Sequence, residues 1–269
     1  MTVAPFPLER GLAEAYERDG IVCVRNALDP AWVERMRAAV ENVLAAPSEF
    51  GERYGDPTRA SFLGDKFMWM RDPDFRAFAM ESTLPAIAAG LVGSPTVNLF
   101  YDHLLVKEPG SDVPTRWHHD QNYWPCVGSQ CLSIWVALDK VDAGNGRVEF
   151  IRGSHRWTER FQPMNFTDMA PIADPDYQPI PDIDADRNRY DIVAYDLEPG
   201  DCVVFSALTV HGASGNAAGD RRRRAIAVRY TGDDVRFAVK RAVIKLPTDP
   251  GLAHGDRMGG PQFPLIPVA

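Results

Sequence analysis

The chain lacks long hydrophobic runs and has few cysteines. None of its 269 residues lies in a stretch approaching 18 consecutive apolar residues, so the sequence predicts no membrane-spanning helix. The beginning of the chain lacks the basic start and apolar run of a secretory signal. The four cysteines form no C-x-x-C pair and no zinc-like spacing, which predicts reduced, mostly buried thiols. These absences together predict a soluble, cytoplasmic protein.

Clustered positive charge is also scarce. The formal net charge is −8, and the one basic cluster, residues 221–224, is too short to form a nucleic-acid groove. We therefore expect neither nucleic acid nor a membrane as a partner. The composition is 45% hydrophobic and 25% charged, which is typical of a globular protein and leaves the oligomeric state open.

Hydrophobic periodicity changes near residue 95. Before that point, helical spacing of apolar residues predicts helices within 7–20, 29–47 and 72–93, with a short β-rich run over 21–28. Asp29 and Pro30 have the residue types of an N-cap and a first helical position, and Pro85 is a predicted break. The first 95 residues are therefore predicted to be mainly helical.

After residue 95 the pattern is that of short strands separated by Gly, Asp and Pro turns. The strand-like runs are 96–110, 131–141, 147–153, 192–208, 224–232 and 236–246. They predict a β-sandwich or barrel core over about 96–246, within a single domain that spans 1–269. The acidic, proline-rich segment 163–191 is too long for a turn, and we expect a lid or a disordered insert there.

The stretch WHHDQNYWP, residues 117–125, places two histidines next to an acid. If this segment is extended, His118 and Asp120 share one face and His119 points the other way. His211 is the best candidate for a third ligand, because it follows a strand-like run. Two histidines and one carboxylate on one face of a metal are typical of non-haem Fe(II) oxygenases. The alternative is a hydrogen-bonded loop histidine without a metal.

The His-x-Asp pattern occurs a second time near the end of the chain, at His254 and Asp256. This copy lies in a glycine- and proline-rich tail with no later histidine. We therefore reject it as a metal site.

Four segments occur in a characteristic order over about residues 97–232. They are TRWHHDQNYWP, SIWVALDKVDAGNGRVEFIRGSHRW, GDCVVFSALTVHGASGN and RRAIAVRY. This combination resembles the phytanoyl-CoA dioxygenase family of Fe(II)- and 2-oxoglutarate-dependent oxygenases. The resemblance implies a mainly β fold with α, namely a double-stranded β-helix (a jelly-roll, cupin-like barrel) with N-terminal helices packed on the outside. It also carries the catalytic iron ligands onto His118, Asp120 and His211.

The resemblance further implies a cation that binds the distal carboxylate of 2-oxoglutarate. Alignment on the family pattern RxAI selects Arg223, and a bidentate arginine suits a carboxylate better than lysine does. On a strand, Ala225 and Ala227 share its face and leave room for the bound acid. Arg222 is the second candidate, because the spacing from His211 is one residue longer than in the family pattern.

Five further residues are candidates for the site. Trp135 matches the family's barrel tryptophan beside the co-substrate, with plain core packing as the alternative. Lys107 could reach an anionic group of 2-oxoglutarate or substrate, or be a solvated strand-end lysine. Tyr123 and Trp124 could form a substrate wall, shield the iron or simply pack. Arg116 could bind an anionic substrate or pair with an acid.

The expected reaction is oxidation of an unactivated C–H bond of a small-molecule metabolite. The resemblance implies hydroxylation with O2 and 2-oxoglutarate as co-substrates and with succinate and CO2 as co-products. Asp120 argues against halogenation, because related halogenases replace that carboxylate by a small residue. Desaturation, epoxidation or oxidative cyclisation would use the same ligands. A different metal-using barrel enzyme and a non-catalytic barrel-fold binding protein are further alternatives.

Overall fold

The structure, a computed structural model, describes residues 2–56, 58–163, 172–241 and 243–269. Within these ranges it has four α-helices and fourteen strands. The helices are α1 (Leu12–Asp19), α2 (Pro30–Ala45), α3 (Pro73–Glu81) and α4 (Leu84–Val92). The strands are β1 (Ile21–Val24), β2 (Glu52–Tyr54), β3 (Phe62–Lys66), β4 (Thr96–Lys107), β5 (Thr115–His118), β6 (Cys126–Val127), β7 (Cys131–Ala137), β8 (Val148–Ile151), β9 (Ile192–Ala194), β10 (Cys202–Ser206), β11 (His211–Ala213), β12 (Arg223–Thr231), β13 (Arg236–Phe237) and β14 (Leu265–Pro267).

Local sequence signals account for the helix boundaries. The side chain of Asp29 accepts the backbone N–H of Trp32 at 2.9 Å, so it is the N-cap of α2 as predicted. The predicted helical segment 72–93 forms two helices, α3 and α4, separated by Ser82 and Thr83. Pro85 lies in the first turn of α4, where its missing N–H leaves no hydrogen bond unmade.

Two antiparallel sheets pack face to face. The larger sheet has eight strands in the order β1-β10-β7-β12-β4-β3-β2, with β14 also paired to β4. The second has the order β5-β11-β8-β9, and β13 and β6 form a small ribbon. This arrangement is a double-stranded β-helix, which confirms the predicted fold class.

Strand β12 has one face that packs against the helices and one face that points between the two sheets. Its residues Ile226 and Val228 are buried in one apolar cluster with Met36 of α2, Phe78 of α3 and Ile87 of α4. The helices therefore cover the outer face of the eight-stranded sheet, as predicted. Burial of each such side chain stabilises the fold by about 1.5–3 kcal/mol.

The alternate residues of β12 point between the two sheets. Ala225 and Ala227 pack in a second cluster with Phe150 of β8, which belongs to the four-stranded sheet. Small side chains at these positions leave space between the two sheets unfilled. The interior that results is the cavity described below.

Several strands were not predicted from the sequence. Strands β2 and β3 lie in the part expected to be helical, and β14 lies beyond residue 246, yet all three join the eight-stranded sheet. Among the described residues of the expected run 236–246, only Arg236–Phe237 is a strand. The predicted lid 163–191 lies partly outside the described residues, which resume at 172. No helix in the described ranges is long and apolar enough to cross a membrane.

Candidate active site

Strand pairing brings two distant histidines together. His118 ends β5, His211 begins β11, and the antiparallel register places them directly opposite one another. Their ring centroids are 4.2 Å apart, and both residues are buried. A separation of 93 residues in the chain is therefore closed by one pair of neighbouring strands.

Asp120 joins this pair because the chain stays extended for one more residue. His119 has φ −127° and ψ 147°, and a short 3-10 helix over Asp120–Tyr123 follows. The Oδ1 atom of Asp120 lies 3.6 Å from Nε2 of His118. One ligand atom from each of His118, Asp120 and His211 lies within 4.8 Å of the others, so the three side chains could hold a metal ion.

His119 faces away from this cluster, as the alternation predicted. Its Nε2 accepts the backbone N–H of Phe161 at 3.1 Å, and its ring packs against the Phe161 ring. Burial, followed by the nearby charge of His118, lowers the pKa of His119 to about 3. His119 is therefore a neutral packing residue beside the cluster.

Backbone carbonyls orient both histidines of the cluster. The Nδ1 atom of His118 lies 2.7 Å from the carbonyl oxygen of Arg116, and that of His211 lies 2.9 Å from the carbonyl oxygen of Thr209. Because a carbonyl oxygen only accepts, each Nδ1 donates its hydrogen, and Nε2 is the nitrogen directed toward a metal.

The protonation states suit a cation. Burial, followed by the charge of His118, lowers the pKa of His211 to about 3, so its imidazole is neutral near pH 7. Burial alone would raise the pKa of Asp120, but hydrogen bonding to His118 and the nearby charge of His211 outweigh it and lower that pKa. Ser133 donates to Oδ2 of Asp120 at 3.0 Å and so fixes the carboxylate. The neutral imidazole of His211 and the ionised carboxylate of Asp120 are in the forms that bind divalent metals.

The cluster opens into a cavity between the two sheets, with about 920 Å³ of space including its mouth. Of the residues predicted from the sequence, the cavity is lined by Trp135, Tyr123, Trp124 and Arg223 as well as by the three candidate ligands. These seven residues therefore share one cavity.

Arg223 lines the cavity and is buried. It is 2% exposed, and its guanidinium carbon lies 5.2 Å from the centroid of the Trp135 ring. Its Nε has no hydrogen-bond partner, and among the described residues it forms no ion pair. Burial lowers its pKa to about 10, so it stays charged at neutral pH. A buried cation without a counter-ion is costly, and an acidic ligand would offset that cost.

The neighbouring arginines form surface ion pairs instead. Arg222 contacts Glu41 and Glu108, each at 2.9 Å, and so faces away from the cavity. Arg221 pairs with Asp142 at 2.8 Å. The geometry therefore favours Arg223 over Arg222 as the residue that meets a ligand.

Lys107 and Arg116 do not line the cavity. Lys107 is opposite Arg223 in the strand register, is fully buried, and donates from Nζ to the carbonyl oxygen of Ser214. Burial, followed by the charge of Arg223, holds the pKa of Lys107 well below its usual value. Arg116 is exposed and borders a separate groove that includes Trp117. Arg116 therefore lies outside this cavity, and its expected role in binding an anionic substrate stays a prediction.

Sequence reasoning missed several residues that line the cavity. They include Tyr54, Lys66, Tyr101 and Arg229, and His103, expected in the core or pocket wall, lines it too. One signal was present for Arg229, because it shares the alternating face of β12 with Arg223. The others come from strands whose pairing the sequence did not reveal.

The fold and the cluster together define a class of protein. A double-stranded β-helix with two histidines and one carboxylate at its interior belongs to the non-haem iron oxygenases. The sequence profile of the phytanoyl-CoA dioxygenase (PhyH) family matches residues 16–225. The chain belongs to this family, and it is an Fe(II)- and 2-oxoglutarate-dependent dioxygenase, as predicted.

Two curated relatives illustrate the similarity. The chain is 24% identical over 243 residues to the probable phytanoyl-CoA dioxygenase of Caenorhabditis elegans, which covers 82% of this chain and 74% of that protein. It is 25% identical over 235 residues to the multifunctional dioxygenase prhA of Penicillium brasilianum, which covers 82% of this chain and 72% of that protein.

Two solved structures from nogalamycin biosynthesis share the fold. The carbocyclase SnoK has a TM-score of 0.78 and 26% identity, covering 97% of this chain and 99% of that chain. The epimerase SnoN, in complex with Fe3+, α-ketoglutarate and nogalamycin RO, has a TM-score of 0.76 and 25% identity. The match covers 94% of this chain and 96% of the SnoN chain. Both are non-haem, α-ketoglutarate-dependent enzymes, which supports iron and 2-oxoglutarate as the cofactors here.

Proposed function

We propose that the protein hydroxylates an unactivated C–H bond of a small-molecule metabolite, using O2 and 2-oxoglutarate and releasing succinate and CO2. In this proposal His118, Asp120 and His211 bind the iron, and Arg223 binds the distal carboxylate of 2-oxoglutarate. The observation that carries it is the single cavity that contains both the three-residue cluster and a buried, unpaired arginine.

The residues present suit both groups. The cluster offers two imidazole nitrogens and one carboxylate, which leaves other coordination positions to ligands. The Nε of Arg223 is a buried donor without a partner, which an incoming carboxylate would satisfy. Iron with 2-oxoglutarate would supply the oxidising power, and the protein supplies position and exclusion of water.

The remaining candidates have supporting roles in this scheme. Trp135 packs against the Arg223 guanidinium and holds it in place. Lys107 is paired with Arg223 in the register of β4 and β12, so it lies beside Arg223 without lining the cavity. Tyr123 and Trp124 are 8% and 1% exposed and form the cavity wall next to the cluster, where they would exclude water from the reacting centre.

Binding and turnover of 2-oxoglutarate test this function. Anaerobic titration of the Fe(II)-loaded protein should show saturable 2-oxoglutarate binding, and admission of O2 should produce succinate. Absence of 2-oxoglutarate binding in the presence of iron would contradict the proposal. Binding without succinate formation, over a broad panel of metabolites, would favour the non-catalytic binding protein.

A second outcome of the same chemistry has specific support. SnoK is a carbocyclase and SnoN an epimerase, and both cover more than nine-tenths of this chain. Oxidative cyclisation, desaturation or epoxidation would use the same residues. The product mass separates hydroxylation and epoxidation, which each add one oxygen atom, from cyclisation and desaturation, which each remove two hydrogens. NMR of the product distinguishes the two reactions within each pair.

We also propose that residues 1–269 form one domain around this site. Strand β1, near the start of the chain, pairs with β10, and β14, near its end, pairs with β4. Both ends therefore belong to the sheet that carries Arg223.

A further inference from the structure

Strand β12 carries a second buried arginine at the other end of the cavity. Arg229 lies six residues after Arg223, so the two side chains share one face of the strand, about 20 Å apart along it. Both line the cavity that contains His118, Asp120 and His211. In the sheet, Arg229 is opposite Ser133, whose hydroxyl donates to Asp120. The candidate metal cluster therefore has a buried arginine on each side.

The surroundings of Arg229 hold it in place without neutralising it. It is 5% exposed, and its guanidinium carbon lies 4.5 Å from the Tyr101 ring centroid and 5.9 Å from that of Trp124. One of its terminal nitrogens donates to the carbonyl oxygen of Ala227, and its Nε has no partner. Among the residues that the structure describes, no carboxylate lies within ion-pair distance of it.

The other basic groups at this end contribute no excess charge. Lys66 forms an ion pair with Glu52 at 2.8 Å, and Glu52 also accepts a hydrogen bond from Tyr54. Burial, followed by the charge of Arg229, holds the pKa of His103 well below its usual value, so its ring is neutral. Arg229 is therefore the one group among Arg229, Lys66 and His103 that brings unbalanced positive charge to the cavity.

The charges of the loaded site leave Arg229 without a counter-ion. Asp120 and the C1 carboxylate of 2-oxoglutarate balance the two charges of Fe(II), and the distal carboxylate of 2-oxoglutarate balances Arg223. The guanidinium of Arg229 remains, in a place where an unpaired cation is costly. A guanidinium fork binds a carboxylate through two parallel hydrogen bonds.

We propose that Arg229 binds a carboxylate of the primary substrate, so that the enzyme acts on small organic acids. The rings of Tyr101, Tyr123 and Trp124 line the same end of the cavity and would pack against the apolar body of such an acid. This inference rests on the proposed function, because it assigns Arg223 to the co-substrate and Arg229 to the substrate.

Paired probes that differ only in charge test the inference. The protein is loaded with 2-oxoglutarate and with Zn(II) in place of iron, which prevents turnover. Isothermal titration calorimetry then measures the affinity for each member of two pairs, namely indole-3-acetate and indole-3-acetamide, and hexanoate and hexanamide. We expect any acid whose binding is measurable to bind the wild type about tenfold or more tightly than its amide. A hydrogen bond to a charged group in a buried site contributes an affinity difference of this size. In Arg229→Gln this preference should disappear while 2-oxoglutarate affinity is unchanged.

Two further variants separate charge from folding. Arg229→Lys keeps the charge and should retain part of the preference for acids. Arg222→Gln removes the same charge from the ion pairs with Glu41 and Glu108 outside the cavity, and it should behave as wild type. If Arg229→Gln does not fold, the wild-type comparison of acids with amides and Arg229→Lys decide the question.

The inference is wrong if the wild type shows no preference for acids, which includes binding neither acid. It is also wrong if Arg229→Gln keeps the full preference or loses 2-oxoglutarate binding. Loss of 2-oxoglutarate binding would assign the co-substrate to Arg229, and loss of metal affinity alone would make Arg229 a structural support of Asp120. If the wild type binds no 2-oxoglutarate at all, the proposed function fails as well.

Discussion

Replacement of Arg223 by glutamine removes a buried charge but keeps much of the side-chain volume. In the ligand-free protein this cation has no ion pair among the described residues and is 2% exposed. In the proposed complex its loss would leave the distal carboxylate of 2-oxoglutarate buried without its partner. Breaking a buried charged pair typically costs about 3–5 kcal/mol.

The 2-oxoglutarate affinity should therefore fall steeply in Arg223→Gln. A loss of about 3 kcal/mol corresponds to a dissociation constant roughly 100-fold higher. Titration of the Fe(II)-loaded protein with 2-oxoglutarate under anaerobic conditions measures it. Arg222→Gln is the matched control, because it removes the adjacent charge from exposed ion pairs.

Thermal unfolding provides a second measurement on the same variants. A ligand at 100 times its dissociation constant stabilises the folded state by about 2.7 kcal/mol, and Arg223→Gln should lose this response to 2-oxoglutarate. Without ligand the variant should be no less stable than wild type, because it removes an uncompensated buried charge. An unchanged 2-oxoglutarate affinity in Arg223→Gln would refute the assignment of this arginine to the co-substrate.

Three further predictions concern the cluster and the core. His118→Ala should abolish Fe(II) binding, whereas His119→Ala should preserve it, because the His119 side chain faces Phe161. Equilibrium metal titration compares the two variants, and an equal loss of Fe(II) affinity in both would contradict the alternation argument. Ser133→Ala should weaken Fe(II) affinity about tenfold or more, because it removes the hydrogen bond that fixes Asp120, and unaltered affinity in the same titration would contradict that role. Met36→Ala should lower the free energy of unfolding by about 2–5 kcal/mol in urea, because Met36 is fully buried between α2 and the sheet, and a loss below about 1 kcal/mol would argue against that packing.

Local patterns in the sequence were sufficient for much of the fold. The N-cap at Asp29 depends only on neighbouring backbone groups, and more than half of the residues in the long strand β4 are apolar. The same is true of the alternation that separates His118 and Asp120 from His119, since it needs only an extended backbone over three residues. That His211 lies close to His118 does not follow from the local sequence around either residue. The antiparallel register of β5 against β11 brings the two residues together.

Other features depend on pairing between distant segments. Strands β2, β3 and β14 are three to five residues long, and their formation depends on the edges and neighbours that the larger sheet offers them. Propensity in so short a segment is weak, so the sequence around 52–66 and after 246 reads as loop or helix.

The sequence by itself determined which residues are suited to hold a metal and where the main helices and strands lie. Only the tertiary structure decided that Arg223 rather than Arg222 lines the cavity, and that Arg229 lines it as well. It also decided that Arg116 lies outside the cavity and that Lys107 lies beside Arg223. The physical reason is that spacing along one strand follows from its alternation, whereas the side chains that meet across a cavity depend on the register and packing of several strands at once.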